Sequence, residues 1–237
     1  MKLYYYRLLE EHHRFHNLDV LTYQFVFAEN EDDAYISLCK AYFTYNDCKT
    51  DFFDFDVSAE EISRMTSMSY IDRMDRCIHL LNWYGREQQI RLARSVLREE
   101  NHVRVESIDL TEIPGYGEVN LDDDPVLSCV FITYNTEEPL GNENFAFGRD
   151  TNESVVRLFR NNYETFSEDL VQQLAPDIVE DFRVSVEGTE ETRRIYQELI
   201  ASHQINELGD ICERIVGNND LNIAVFYFFR YQDVSSI

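Results

Sequence analysis

Long apolar runs and recognisable catalytic motifs are both missing from this sequence. No apolar stretch approaches the roughly 18 residues that a membrane-spanning helix needs, and the aromatic and charged residues after Lys2 differ from a secretory signal peptide. There is also no nucleophile elbow, P-loop or dinucleotide-binding fingerprint. We therefore expect a soluble, cytoplasmic protein without a membrane segment. An enzyme is the less favoured class but is not excluded, because active-site residues usually converge from distant positions.

Proline and glycine are scarce as well, with four and eight residues in a chain of 237, so few positions interrupt helices and strands. The five cysteines form no CxxC pair and lie within apolar patterns, which is typical of small buried side chains in a reducing compartment. Hydrophobic residues make up 44% of the chain, and a chain of this length folds without a metal or a disulfide. The composition indicates a folded protein rather than a disordered acidic tail.

Positive charge is the scarcest property of the chain, whose formal net charge is -24. Only three lysines are present and none follows Lys49, so every later fixed cation is an arginine. Residues 64–104 carry eight arginines against five acidic residues, a net of +3, whereas residues 105–237 carry eight against 27, a net of -19. Because nucleic-acid affinity rests largely on cations that contact phosphates, we expect no direct nucleic-acid binding.

Residues 1–113 show the pattern of an α+β unit. Aromatic-rich or alternating segments predict strands at Leu3–Leu9, Leu21–Ala28, Phe52–Val57 and Val103–Leu110. Asn30, Ser58 and Ser69 are each followed three positions later by an acidic residue, which is the pattern of a helix N-cap. The helix predicted from Ser69 to Asn101 has the apolar positions Tyr70, Ile71, Met74, Ile78, Leu81, Leu92 and Val96. Gly85 leaves open whether this stretch is one helix or two that meet at a bend.

Residues 125–237 repeat this order, and residues 114–124 between the two parts are predicted to be an acidic linker. Strands are predicted at Pro125–Tyr134, Asn144–Gly148, Phe182–Glu187 and Leu221–Tyr231. One helix is predicted from Asp150 to Ala175, and a helical pattern interrupted near His203 runs from Thr189 to Gly217. Both parts therefore read strand, strand, helix, strand, helix, helix, strand (ββαβααβ), with mainly antiparallel or mixed sheets and packed helices.

Residue matches between the two parts favour an internal duplication. Five residues recur at a spacing of 120: Phe25, Phe27, Asn30, Asp33 and Leu38 correspond to Phe145, Phe147, Asp150, Glu153 and Leu158. Five others recur at a spacing of 130: Asp51, Phe52, Glu60, Glu61 and Arg64 correspond to Asp181, Phe182, Glu190, Glu191 and Arg194. The alternative explanation is chance, because acidic helix caps after aromatic strands are common. A true repeat would place a cleft at the seam between the two parts.

His12, His13 and His16 are the candidate metal ligands, since they lie beside two glutamates and imidazoles near carboxylates can bind zinc. They form one cluster in a predicted loop without the spacing of a known site, so a solvated turn is the favoured interpretation. The aspartates at residues 122–124 lack the alternating oxygens, the glycine and the terminal glutamate of a calcium loop. We therefore expect no metal and no cofactor.

Arg91, Arg94 and Arg98 follow an i, i+3, i+7 spacing and would share one face of the predicted long helix. Cations in a last helical turn also complement the helix dipole, so part of this pattern is ordinary helix chemistry. A phosphate-binding face is the second interpretation, although the net charge would repel a polyanion. We favour a third, in which the arginines pair with an acidic protein surface of the second part or of another copy. The acidic residues named as interaction candidates are Asp122, Asp123 and Asp124.

The sequence supports three functional hypotheses. The leading one is a non-enzymatic acidic protein that acts through protein–protein interaction or self-assembly, with a symmetric homodimer as the default assembly and a phage or mobile-element accessory role as one setting. Its basis is the absence of motifs and a content of arginine and tyrosine that suits interfaces. The alternative is a polyanion mimic that inhibits a nucleic-acid-binding protein. Its carboxylates would imitate the phosphates of DNA or RNA and occupy the nucleic-acid-binding groove of that protein. The second alternative is an enzyme with its site at the seam between the two parts.

Overall fold

The computed structural model describes residues 1–8, 23–45, 57–98, 103–132, 139–179, 182, 190–218 and 221–227. Within these ranges the protein is α+β, with eight α-helices and two three-stranded antiparallel sheets, which confirms the predicted fold class. The chain divides into two compact units. Unit 1 comprises Met1–Asp109 with Asn135–Pro139, and unit 2 comprises Leu110–Tyr134 with Leu140–Ile237.

The sheet of unit 1 has its first strand in the middle. The strands are β1 (Lys2–Leu8), β2 (Tyr23–Ala28) and β3 (Val103–Asp109), in the order β2-β1-β3. Leu3 of β1 lies opposite Phe27 on one side and Ile108 on the other. The β1 side chains from Leu3 to Arg7 are buried, and successive strand side chains point to opposite faces, so this tyrosine-rich strand is buried on both faces of the sheet.

In the described part of unit 1, four helices follow β2: α1 (Glu31–Tyr45), α2 (Ala59–Thr66), α3 (Tyr70–Trp83) and α4 (Arg86–Val96). The N-caps predicted at Asn30, Ser58 and Ser69 are confirmed, because each side chain accepts a hydrogen bond from the backbone N–H three residues later. All four helices contribute to a core with Tyr4 and Tyr6 of β1, through residues that include Leu38, Met65, Leu81 and Val96. Burial of this apolar face is what holds the short helices in place.

The predicted long helix after Ser69 is two helices, α3 and α4. Tyr84 has extended backbone angles, φ -70° and ψ 149°, and its N–H makes the last bond of α3, to the Leu80 carbonyl. Gly85 is also extended, at φ -64° and ψ 156°, and precedes α4 without a side-chain cap. Two consecutive extended residues end a helix. Arg98 lies beyond the end of α4, so the predicted single stripe of Arg91, Arg94 and Arg98 on one helix is wrong.

Unit 2 also has its first strand in the middle of its sheet. The strands are β4 (Val126–Ile132), β5 (Phe145–Gly148) and β6 (Leu221–Tyr227), in the order β5-β4-β6. The α-helices described between β5 and β6, apart from the single helical residue Phe182, are α5 (Thr151–Asn161), α6 (Tyr163–Leu174), α7 (Glu190–Ser202) and α8 (Ile205–Asn218). Val130 of β4 and Ala146 of β5 share a core with residues of all four helices, among them Phe159, Phe166, Tyr196 and Ile211.

The helix predicted from Asp150 to Ala175 is interrupted. Asp150 caps α5 as predicted, accepting a hydrogen bond of 2.8 Å from the Glu153 N–H. At Asn162 the helix stops, and the Asn162 side-chain amide donates to the carbonyls of Leu158 and Glu143, at 2.9 and 2.7 Å. Phe182, where a strand was predicted to begin, is helical. Residues 183–187 of that predicted strand lie outside the described residues.

Among the described residues, each unit reads strand, strand, four helices, strand, so the predicted order ββαβααβ is not confirmed. Residues 52–56 of the other predicted third strand also lie outside the described residues, and Val57 is not in a strand. The first strand pair and helix are nevertheless built alike: Leu3 pairs with Phe27, and Leu127 pairs with Phe147. The matches at a spacing of 130 align α2, a second helix, with α7, a third helix, so they do not join equivalent elements.

Candidate functional site

Helix α3 presents an unusual outer face. Its buried residues, Arg73, Cys77, Leu80 and Leu81, recur at helical spacing and turn towards the core of unit 1. The residues on the opposite side are exposed, and we call them the α3 outer face: Ile71, Asp72, Asp75, His79, Asn82 and Trp83. Trp83, the single tryptophan of the chain, is 79% exposed, and Ile71 is 64% exposed. The apolar pattern of the sequence predicted that Ile71 lies on the core face of the helix, and it made no prediction for Trp83. In the structure neither side chain is buried in unit 1.

Trp83 is held in place although it is exposed. The ring of His79, one helical turn earlier, stacks on the indole with centroids 6.2 Å apart and planes inclined by 21°. His79 is itself anchored, because the Nη1 of Arg76 lies 3.4 Å from its Nδ1. Arg76 in turn donates from Nε to the Glu61 carboxylate of α2, at 2.7 Å. This chain of contacts restricts the rotamers of the exposed His79 and Trp83 side chains.

The Arg76 contact also indicates the tautomer of the His79 ring. A guanidinium has only N–H donors, so the Nδ1 of His79 accepts and the neutral ring carries its proton on Nε2. Burial raises the pKa of the Glu61 carboxyl, but hydrogen bonds and charges from Arg76 and Arg64 outweigh it and leave the pKa below its usual value. Glu61 therefore stays ionised at neutral pH and keeps Arg76 in position.

Arg94 has acidic partners within its own unit. Its Nη2 lies 3.0 Å from Asp32 and 3.2 Å from Glu31, in the first turn of α1. Its guanidinium also lies over the ring of Tyr35, 4.7 Å from the centroid. The hydrogen bond that Arg94 donates to the Asp32 carboxylate raises the pKa of Arg94. The acidic surface that Arg94 contacts is thus the N-terminal end of α1, and Arg91 on the same helix is exposed.

The predicted acidic linker contains a short turn with exposed carboxylates. Asp122, Asp123 and Asp124 are exposed, and the side chain of Asn120 accepts from the Asp122 N–H and donates to the Asp123 carboxylate. Upstream in the same segment, the Pro114 carbonyl accepts a 2.8 Å bond from the N–H of Phe147 in β5. The segment 114–124 therefore contacts the sheet of unit 2 near its N-terminal end.

No metal site is found in the part of the chain that the structure describes, where no three histidine, cysteine or acidic side chains converge. His12, His13 and His16 lie outside the described residues, so the metal hypothesis for them stays a prediction. Among the described helices, none combines the length and the apolar character needed to cross a bilayer. The α3 outer face carries the two most exposed large hydrophobic side chains of the described residues.

No protein family, no characterised protein and no solved structure matches this chain.

Proposed function

We propose that this protein is non-enzymatic and acts by binding another protein molecule through the α3 outer face. The observation that supports this is Trp83, a large aromatic side chain that is 79% exposed yet fixed by the His79 ring. Tryptophan and arginine are the residues most enriched at energetic hot spots of interfaces, where aromatic anchors fill pockets of the partner. An anchor that is already ordered loses less conformational entropy on binding.

The charge of the region that contains the α3 outer face indicates the kind of partner. Residues 64–104 carry a net of +3 in a chain of net charge -24, so this region suits an acidic protein surface better than the rest of the chain does. The α3 outer face itself holds two aspartates, Asp72 and Asp75, and no arginine. The Arg94 and Arg86 guanidinium groups are engaged by the carboxylates of α1, but Arg91 is exposed. An acidic partner, including a second copy of this chain, suits the surface better than a nucleic acid does.

The test compares the full chain with two alanine variants as immobilised baits for proteins of the native host and for the chain itself. Trp83→Ala should lose the bound protein, since it removes the proposed anchor. Ile205→Ala is the matched control, because Ile205 is also an exposed apolar residue on a helix, but in unit 2. Equal retention by both variants, or no specific binding by the unaltered chain, would refute the proposal.

A polyanion mimic is the second candidate, and the exposed acidic turn favours it. Asp122, Asp123 and Asp124 are consecutive exposed carboxylates at the start of unit 2, and such groups can imitate phosphates towards a basic cleft. A triple change to asparagine removes the charges and keeps the shape. Competition with DNA for a basic nucleic-acid-binding protein should then disappear; competition that persists in the triple variant contradicts the mimic.

We also infer that the two units descend from one duplicated unit. The support is local: the strand pairs Leu3–Phe27 and Leu127–Phe147 have the same register, and the helix caps Asn30 and Asp150 follow β2 and β5 at the same distance. Superposition of the two units in a crystal structure provides the test. The two sheets and the helices α1 and α5 should superpose with Asn30 on Asp150, and a different helix order in either unit would contradict the duplication.

A further inference from the structure

We propose that the protein forms a twofold-symmetric dimer in which the α3 helices of two copies pack antiparallel through one row of side chains. The row, which we call the outer row, consists of Ile71, Asp75, His79 and Trp83. This inference rests on the proposed function and identifies its partner as a second copy of this chain. The four residues are spaced by four positions, so they form a single ridge on the helix, about 18 Å long at 1.5 Å of rise per residue.

The outer row is complementary to itself. The midpoint of the row along the sequence is position 77. In an antiparallel dimer, residue 71 of one copy therefore lies opposite residue 83 of the other, and residue 75 lies opposite residue 79. Packing of such i+4 ridges alongside each other is the commonest way in which two helices meet in globular proteins. A twofold axis repeats each contact, so the 71–83 pairing and the 75–79 pairing each occur twice in the dimer.

The two kinds of contact match in chemistry. Ile71 and Trp83, the most exposed large hydrophobic residues of the described chain at 64% and 79%, would cover each other at the two ends of the row. Asp75 and His79 would meet near the axis. The Asp75 carboxylate is exposed and makes no hydrogen bond or ion pair in the described ranges. Because Arg76 occupies the Nδ1 of His79, the Nε2–H is left to donate to that carboxylate in the second copy.

Arg76 connects His79 of the outer row to Glu61 of α2. Glu61 of α2 is engaged by Arg76 and Arg64, so it does not compete for His79. Asp72 and Asn82 flank the row on the outer face and are exposed. An 18 Å ridge belongs to the class of interfaces that bury less than about 1,200 Å². We therefore expect a dimer that dissociates on dilution, with a Kd on the order of 1–100 μM.

Charge exchange between residues 75 and 79 tests the pairing. Asp75→Lys alone places a lysine against His79 of the second copy, and His79→Glu alone places a glutamate against Asp75, so each variant should dimerise at least about tenfold more weakly. An equimolar mixture of the two variants restores both contacts, one as Lys–Glu and one as Asp–His. Sedimentation velocity should then show the mixed species at twice the 28.1 kDa of one chain.

Controls separate this result from a folding defect. Circular dichroism and melting temperature should be the same for both variants as for the unaltered chain, because residues 75 and 79 are exposed. Asp210→Lys, which changes an exposed aspartate on α8 in unit 2, should dimerise like the unaltered chain. Trp83→Ala should raise the Kd at least about 30-fold, the change that corresponds to a hot spot of 2 kcal/mol.

The outcomes distinguish the dimer from the broader function. An unaltered chain that stays monomeric at every concentration overturns the dimer, while Trp83-dependent binding of another protein would leave the proposed function standing. A dimer whose variants are not restored by mixing overturns the antiparallel pairing. Self-association that is insensitive to Trp83→Ala overturns both the pairing and the role of the α3 outer face.

Discussion

Trp83 stacks on His79 with ring centroids 6.2 Å apart, while 79% of the tryptophan remains exposed. The two rings belong to one helix, lie one turn apart and are anchored through Arg76 to Glu61 of the neighbouring helix. An exposed aromatic pair of this kind contributes little to a monomer, because most of the indole surface stays in water. It contributes far more when a partner covers it, and the predictions below separate these two roles.

Truncation of Trp83 should leave folding almost unchanged. Trp83→Ala is expected to alter the free energy of unfolding by no more than about 0.5 kcal/mol, as for other surface substitutions. Leu81→Ala, two residues earlier on the same helix, removes a fully buried side chain and should cost about 2–5 kcal/mol. Urea titration of both variants at a concentration where the chain is monomeric measures the contrast. A loss of several kcal/mol in Trp83→Ala would mean that the tryptophan is structural.

The Ser69 side chain should be worth about 1 kcal/mol through its cap of α3. It accepts a hydrogen bond from the Asp72 N–H at 3.2 Å and donates one to the Asp72 carboxylate at 2.6 Å, and replacing such caps by alanine costs about 0.5–2 kcal/mol. Ser63→Ala is the control, because Ser63 lies exposed within α2, where alanine is the better helix former. Equal stability of the two alanine variants in thermal unfolding would contradict the cap.

The carboxyl of Glu153 should make stability depend on pH in the acidic range. A hydrogen bond from Arg149 is the main reason that the pKa of Glu153 lies below its usual value of 4.5, even though burial acts in the opposite direction. A lowered pKa in the folded state means that the stabilisation is present above about pH 4.5 and is lost as the pH falls through the folded pKa. Glu153→Gln should therefore be less stable than the unaltered chain at pH 7, by about 1 kcal/mol.

Comparison of the unaltered chain with Glu153→Gln across a range of pH checks that prediction. The difference in the free energy of unfolding between the unaltered chain and Glu153→Gln should shrink as the pH falls from 4.5 through the lower folded-state pKa of Glu153, since the carboxyl then becomes uncharged like the glutamine amide. Glu198→Gln, which removes a carboxylate from an exposed pair with Arg194, should show a difference close to zero throughout. A Glu153→Gln deficit that is constant with pH would show that the charge is not responsible.

The buried hydroxyl of Tyr196 should stabilise unit 2. It donates a hydrogen bond of 2.8 Å to the carbonyl of Phe159, and the residue is fully buried. Tyr196→Phe keeps the ring packing and removes this bond, so we expect a loss of about 0.5–1.5 kcal/mol in chemical unfolding. Burial also raises the pKa of Tyr196, so its contribution should decline only at strongly alkaline pH. An unaffected free energy of unfolding would contradict the role of the hydroxyl.

Local signals in the sequence were sufficient for the helix starts and for most strands. The caps at Ser58, Ser69 and Asp150 depend on a side chain and a backbone N–H three residues apart, so they can be read without knowledge of the fold. The strand β3 and the strand pair β4–β5 follow from short alternating or continuous apolar segments in the same way. The helix breaks at Tyr84 and Asn162 are harder to predict from the sequence, because the helical spacing of apolar residues continues across both.

The orientation of α3 could not be predicted, because it depends on tertiary packing. The spacing of Ile71, Met74, Ile78 and Leu81 fits one helical face and places Ile71 in the core. In the structure the core face is centred on Cys77 and Leu80 instead, which turns Ile71 outward. The apolar residues of α3 allow two overlapping core faces, one that contains Ile71 and one that contains Cys77 and Leu80. The second is the face that is buried in unit 1, where α3 packs against α1. The pairing of Arg94 with α1 was inaccessible for the same reason, since 62 residues separate Arg94 from Asp32.

The emission spectrum of Trp83 as a function of protein concentration tests the central claim most directly, because this is the single tryptophan of the chain. We predict that the emission maximum shifts to shorter wavelength as the concentration rises through about 1–100 μM, in step with growth of the sedimenting mass to twice 28.1 kDa. An emission maximum that stays at the value of a solvent-exposed indole while the mass doubles would contradict an interface at the α3 outer face. A mass that stays at 28.1 kDa throughout would contradict the dimer itself.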